Sequence, residues 1–375
     1  MRKSAFALVI LLAAAFGLAP AQQGPSRDSA ETVAKPRTKA GEAQPAEQPK
    51  IPSKFGKKEG EQTGIEPTFR SEVTAVSVDV SVLDKNSRPI PNIPKGNFRI
   101  LEDNVPQTVS KVEMGTEAPM TVCLVIEFSN RFQQYWGQGW YETLMAAYGF
   151  VETLKPEDYV AVVAYDIRPE MLSDFSTNRQ DTMQALQRLR IAAFSESNLY
   201  DALTDTADRM SEIEGRKAIV LISSGVDTFS KLTFDNTRKI LQRANVPIYG
   251  IGILQALREI LDARGYMGPE MRLDFLQADN QMRTFARETG GQAFFPRFLG
   301  EFPGIFRAIS EALRTSYTLT YKPSNTARDG KFRKIKVELV NPATNEPLKV
   351  TDEKGKPVKY TILAKAGYTA PREVE

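Results

Sequence analysis

The sequence predicts an α/β protein built on a doubly wound, mostly parallel sheet, with further strands contributed by both ends of the chain. Three observations predict it. From residue 120 to about residue 295, uninterrupted apolar runs alternate with amphipathic stretches, the pattern of buried parallel strands joined by crossover helices. On either side of that block the apolar residues recur at every second position instead, as in strands with one buried face. The length of 375 residues, with 41% hydrophobic and 25% charged residues, is ordinary for two or three globular domains and excludes disorder throughout.

Arg2 and Lys3 precede an apolar run over 5–18 that ends in Ala19-Pro20-Ala21, a small-x-small pattern, so residues 1–21 are expected to be a secretory signal. The run is about 14 residues, short of the ~20 that span a hydrocarbon core. An uncleaved N-terminal anchor is the alternative. On the first reading the mature chain has no membrane span and is exported to a periplasm or secreted. Residues 22–66 are rich in Pro, Gln, Glu, Lys, Ala and Gly and nearly free of large apolar side chains, so they are expected to be a disordered linker. Val76-Ser-Val-Asp-Val-Ser-Val82 then alternates strictly, and Asp84-Lys-Asn-Ser-Arg-Pro89 reads as a turn. Phe98-Arg-Ile-Leu101 and the stretch 108–112 read as two more strands around Asp103-Asn104, about three in all and too few for an independent sandwich.

Within the central block the buried runs are 120–126, 159–165, 218–222 and 247–253, with a shorter one at 292–295. Helices are expected around 141–154, 179–189, 199–210, 234–244, 273–289 and 302–314. Such sheets bind ligands at the carboxyl ends of their strands, which places function just after Ile126 and Ile222. After Arg314 the two-residue period returns at Tyr317, Leu319 and Tyr321, again at Ile335, Val337 and Leu339, and more weakly over 360–363. Neither flank alone covers a core. Residues 67–117 and 315–370 are therefore expected to pair into one immunoglobulin-like sandwich, with the α/β domain of 118–314 inserted between its strands. The basic character of 331–359 reads as a solvated strand face. The stretch 254–273, with Arg258, Arg264 and a turn at 265–269, is longer than a crossover needs and reads as an insertion: a lid, an extra contact surface or a structural helix.

Composition narrows the function. Lys+Arg 49 against Asp+Glu 46 leaves a formal charge of +3, too little for a nucleic-acid-binding basic field. The absence of histidine removes triads, HExxH sites and His-based metal cages. The single cysteine, Cys123, excludes an intrachain disulfide and sits in an apolar strand run, where it reads as a packed core residue. There is no phosphate loop, and Gly250-Ile-Gly252 is a strand ending.

The segments Thr121-Val-Cys-Leu-Val-Ile-Glu-Phe-Ser-Asn130, Asn198-Leu-Tyr-Asp-Ala-Leu203 and Ala218-Ile-Val-Leu-Ile-Ser-Ser-Gly-Val-Asp-Thr228 resemble the first strand and turn, the second loop and the fourth strand of a von Willebrand factor type A domain. The flanking Val-Asp-Val-Ser-Val-Leu-Asp84, Asn97-Phe-Arg-Ile-Leu-Glu-Asp-Asn104 and Asp329-Gly-Lys-Phe-Arg-Lys-Ile335 are similar to the exported "VWFA-related" proteins of acidobacteria. That resemblance implies a metal-ion-dependent adhesion site: Asp-x-Ser-x-Ser after the first strand, a Thr in the second loop and an Asp after a later strand, holding Mg²⁺ in near-octahedral oxygen geometry. This sequence departs from it almost throughout. Glu127 stands for the first Asp, Ser129 matches, Arg131 replaces the second Ser, Asn198 the Thr and Ser224 the late Asp, while Asp227 lies three residues beyond. An arginine offers a cation and no acceptor where the metal would sit, so a degenerate site without metal or other cofactor is expected. The alternative is that Glu127, Ser129, Asn198 and a rotated Asp227 hold a weak Mg²⁺ or Ca²⁺ with Arg131 swung outward. A further version pairs Arg131 with Glu127 as a built-in cation that receives an acidic partner group.

The loop Asn130-Arg-Phe-Gln-Gln-Tyr-Trp-Gly-Gln-Gly-Trp-Tyr141 carries both tryptophans, and Arg131, Phe132, Tyr135 and Trp136 have the composition of an interaction hot spot. Packing of Trp140 and Tyr141 at the start of a helix is the bland alternative. The reading is a non-enzymatic binding or adhesion module of the cell envelope whose partner is a protein, a peptide or an envelope polymer. Its oligomeric state is open. A histidine-free hydrolase is the rival, with Ser129 or Ser224 as nucleophile and no lysine placed to activate either.

Overall fold

The apolar runs become neighbours in one sheet, and the alternating flanks become two more. A computed structural model describes residues 75–115, 118–129, 137–189, 194–351 and 356–372. The first four strands are β1 (Val76–Asp84), β2 (Phe98–Glu102), β3 (Val105–Gln107) and β4 (Val109–Met114). The α/β block runs through β5 (Met120–Glu127), α1 (Gly137–Glu152), β6 (Tyr159–Tyr165), β7 (Pro169–Ser176), α2 (Arg179–Arg188), α3 (Leu199–Ser211), β8 (Arg216–Ser223), α4 (Phe234–Ala244) and β9 (Ile248–Gly252). It closes with α5 (Gln255–Ala263), α6 (Pro269–Thr289), β10 (Ala293–Phe294) and α7 (Phe302–Arg314). The last strands are β11 (Tyr317–Tyr321), β12 (Phe332–Leu339), the short pair β13 (Val350–Thr351) and β14 (Pro357–Val358), β15 (Tyr360–Ala364) and β16 (Gly367–Thr369).

The central sheet has the order β10-β9-β8-β5-β6-β7, parallel except for the edge strand β7. Every residue of β5 is buried, because helices cover both faces. Phe150 of α1, Leu186 of α2 and Phe306 of α7 pack with Val122, Leu124 and Ile126 on one face. Leu203 of α3, Leu241 of α4 and Phe285 of α6 pack with Cys123 and Val125 on the other. Cys123 is a core residue there, and burial raises its thiol far above the ordinary range. The strand order reverses between β5 and β8, the switch point at which this architecture leaves a crevice.

The flanks form two four-stranded sheets, β15-β1-β11-β4 and β16-β12-β2-β3, which share one apolar core. β1 lies between β11 and β15, with Val78 opposite Leu319 and Val82 opposite Ile362. β2 lies against β12, with Ile100 opposite Val337. Strands that precede the α/β block are thus hydrogen-bonded to strands that follow it. Arg216 joins the two parts, donating to the carbonyls of Leu313 and Arg314 at 2.6 Å and of Ser316 at 3.0 Å.

Several details differ from expectation. The first flank supplies four strands: the left-handed Asp103 and Asn104 (φ 48° and 67°) make a tight hairpin between β2 and β3, and the chain then changes sheet at Thr108, which divides β3 from β4. β7 lacks an apolar run, since as a sheet edge it leaves Glu170 and Asp174 exposed. The helices α1 and α6 begin four residues earlier than the apolar pattern suggested, at Gly137 and Pro269. The stretch 254–273 is mostly α5 and the start of α6. Arg258 there donates to Asp279 at 2.9 and 3.1 Å and packs over Phe275, and Leu254, Leu257 and Phe275 form a small satellite core. On β12, Lys334 and Lys336 face solvent as expected, but Arg333 points inward, 4% exposed, and pairs with Asp329 at 2.9 Å. Among the described residues no helix is long and apolar enough to cross a membrane. The expected signal and linker lie outside the described residues.

Candidate functional site

The crevice at the switch point is floored by the last residues of β5, β6 and β8. In-register parallel pairing sets Glu127 beside Tyr165 on one side, and Ile126 beside Ile222 on the other. Glu127 is 4% exposed. Its side chain reaches across to β8 rather than upward. Oε2 accepts from the Ser223 hydroxyl at 2.9 Å, the Ser224 hydroxyl at 2.7 Å and the Ser224 backbone N–H at 2.7 Å, while Oε1 accepts from the Ser129 hydroxyl at 2.8 Å. The four donors offset the desolvation of the carboxylate, and every one of them is neutral. Behind this group the Tyr165 phenol donates to Ser223 Oγ at 2.8 Å. Burial, reinforced by the charge of Glu127, pushes the Tyr165 phenol well above its ordinary range, which keeps it a neutral donor.

A second cluster lies at the N-terminus of α3. Asp227 Oδ1 accepts from the backbone N–H groups of Leu199 at 2.9 Å and Tyr200 at 3.2 Å, and lies 2.5 Å from Ser230 Oγ. The carboxylate therefore caps α3 from outside the helix, in place of Asn198, whose side chain makes no capping bond. Asn198 is committed instead to the Ile167 carbonyl, to which Nδ2 donates at 3.0 Å, and to Ser230 Oγ, 2.8 Å from its Oδ1. With a single proton, the Ser230 hydroxyl donates to one of these two acceptors at a time. Burial raises the Asp227 carboxyl, and the bonds from Ser230, Tyr200 and Leu199 partly oppose that shift.

Of the residues singled out from sequence, Glu127, Ser129 and Ser224 form one hydrogen-bonded set, and Asn198 and Asp227 share a different one. Arg131, Phe132, Tyr135 and Trp136 lie outside the described residues. Sequence reasoning passed over Ser223, Tyr165 and Ser230. The Ser223-Ser224 doublet closing a buried run was the available signal for the first. Nothing local marks Tyr165 or Ser230. Among the described residues no three His, Cys, Asp or Glu side chains gather as a metal site.

A neighbouring cavity of about 270 Å³ is lined by Phe128, Tyr165, Arg168, Leu189 and the exposed Phe194, so the carboxyl edge offers apolar surface beside its polar floor.

Residues 130–226 match the von Willebrand factor type A domain family, and the chain thus carries a domain of this type. No curated protein matches the chain. Among solved structures, proximal thread matrix protein 1 from the mussel byssus aligns at 12% identity and a TM-score of 0.41, over 57% of this chain and 51% of its own. The chain thus spans about half the length of that protein. The vWF domain of the type V pili tip protein Mfa5 from Porphyromonas gingivalis aligns at 13% identity and a TM-score of 0.40, over 54% of this chain and 97% of its own. A von Willebrand factor type A structure from Catenulispora acidiphila aligns at 11% identity and a TM-score of 0.39, over 80% of this chain and 76% of its own. All three are distant likenesses.

Proposed function

We propose that this protein is a non-enzymatic, exported binding or adhesion module of the cell envelope that engages a protein, peptide or envelope polymer through the carboxyl edge of its A-type sheet, without a resident divalent ion. The carrying observation is the saturation of Glu127 by Ser129, Ser223 and Ser224. A metal taken up by this carboxylate would have to displace those donors, and Asp227, the other acid nearby, is committed to capping α3. The same bonds argue against hydrolysis. Ser129, Ser223 and Ser224 are all buried and direct their hydroxyls into a carboxylate, so none presents a nucleophile to a substrate.

A buried carboxylate whose described donors are all neutral favours a nearby cation. Arg131 follows Glu127 by four residues, and in this reading it supplies that cation and receives an acidic group of the partner. Phe132, Tyr135 and Trp136 supply the apolar contact. We place the site in a degenerate adhesion motif of the "VWFA-related" kind, with the flanking sheets forming an immunoglobulin-like sandwich over 67–117 and 315–370. The test is capture of envelope components by immobilised full-length protein, with and without EDTA. Capture is expected to survive EDTA and to fall in Arg131→Ala and Trp136→Ala. Loss of capture in EDTA favours the metal-dependent alternative, and unchanged capture by both variants rejects the edge as the binding surface.

A further inference from the structure

A cavity of about 390 Å³ lies away from the carboxyl edge, where the start of β1, the loop between β11 and β12, the residues around β16 and the C-terminal cap of α4 meet. Two of its lining side chains are cations, Lys365 and Arg328, and none is a carboxylate. Asn245, in the left-handed conformation at φ 54° that ends α4, holds the lysine, and its Oδ1 accepts from Lys365 Nζ at 2.7 Å. An ammonium has three donors, and among the described residues Asn245 is the one acceptor hydrogen-bonded to it. Arg328 is exposed and makes no ion pair among the described residues.

Acids in the same segments are committed elsewhere. Asp329 pairs with Arg333 at 2.9 Å and Lys331 at 3.6 Å, and Asp79 accepts from the Thr318 hydroxyl at 2.7 Å. Burial pulls the Lys365 ammonium down to about 8, Asp79 opposing the shift and Lys217 adding to it. That is the behaviour of a cation short of a counter-charge. The rest of the lining is mixed, with the amides of Asn245 and Asn325 and the hydroxyls of Thr326 and Thr369 set among apolar surface from Val76, Pro323, Ala370 and Pro371, which suits a compact body with polar groups on one side. The volume falls at the lower end of the range of small-molecule sites.

We propose that this cavity binds a small carboxylate-bearing ligand, with the carboxylate between Lys365 and Arg328 and the polar body against Asn245 and Asn325. A sugar acid and an acidic amino acid share that chemistry. Titration of the full chain by NMR with glucuronate, N-acetylglutamate and glucose separates the sources. Saturable binding of either carboxylate, with glucose inert, supports the site, and the tighter of the two identifies the source. Lys365→Met and Arg328→Ala are each expected to weaken binding by about tenfold, the loss of one charge-assisted hydrogen bond. Because Lys365 also braces α4, the exposed Arg328 keeps the test intact if Lys365→Met fails to fold. In parallel, the bound carboxylate should slow acylation of Lys365 at pH 8, read by mass spectrometry. Failure of both carboxylates to bind, equal binding of glucose, or wild-type binding by both variants would overturn the proposal.

Discussion

At the amino end of the central sheet, Asp158 is fully buried and accepts from the backbone N–H groups of Met120 at 3.0 Å and Lys155 at 2.8 Å and from the Arg314 guanidinium at 2.5 Å. At the carboxyl end, Glu127 is nearly as buried, yet its described donors are three hydroxyls and one N–H, with no cation among them. The first arrangement is a lock. Arg314 is the last residue of α7, so the ion pair fastens the start of β5 and β6 to the point where the chain returns to the flanking sheets. The second leaves a carboxylate that is hydrogen-bonded on both oxygens but meets no cation among the described residues. Among the described residues, one end of the sheet thus carries a closed ion pair and the other a buried carboxylate held by neutral donors, the feature on which the proposed binding role of that edge rests.

The same isosteric change should separate the two ends most sharply. Both oxygens of Asp158 face N–H donors, and backbone N–H groups cannot rotate away, so Asp158→Asn sets an amide NH₂ against them and strips Arg314 of its partner. A loss of about 3–5 kcal/mol in urea unfolding is expected, and a loss under about 1 kcal/mol would break the comparison. Truncation at the other end, Glu127→Ala, orphans the donors of Ser129, Ser223 and Ser224 and should cost about 2–3 kcal/mol by the same assay. Gly290, at φ 88°, ends α6 with its would-be Cβ 2.8 Å from the Lys365 backbone nitrogen, so Gly290→Ala should cost about 1–2 kcal/mol and show as a lowered Tm.

Glu127→Gln should change stability by under about 1 kcal/mol in either direction. Its amide oxygen can take the Ser224 N–H while the Ser129 hydroxyl rotates to accept from the NH₂. A large loss there would mean that the charge itself is structural. Lys365 gives an effect of a different kind, a dependence of stability on pH. Its folded value near 8 lies below the ordinary 10.5, so the unfolded chain binds more protons between those values and stability should rise with pH across that window. Urea midpoints measured from pH 7.5 to 10.5 should rise in wild type relative to Lys365→Met, and parallel curves would contradict the lowered value.

The strands β5, β6 and β8 were legible because both of their faces are covered, which writes an unbroken apolar run into the sequence. β7 was not, since an edge strand has no such requirement and Glu170 and Asp174 interrupt it. Arg333 looked solvated because β12 alternates charged and apolar residues, and its inward turn depends on Asp329, four residues before it in a loop. At the candidate site the types of the departing residues were readable, Glu127 for Asp and Ser224 for Asp among them. That Glu127 would cross to β8 was not. Ser223 and Tyr165 acquire roles only when the strand order sets β5 between β6 and β8, a long-range fact that no local pattern carries.

Calorimetric titration of the full chain with Mg²⁺, Mn²⁺ and Ca²⁺ tests the central claim that Glu127 is satisfied from within. The account predicts no saturable single-site heat at micromolar concentrations for any of the three. Micromolar binding to one site that disappears in Glu127→Gln would contradict it.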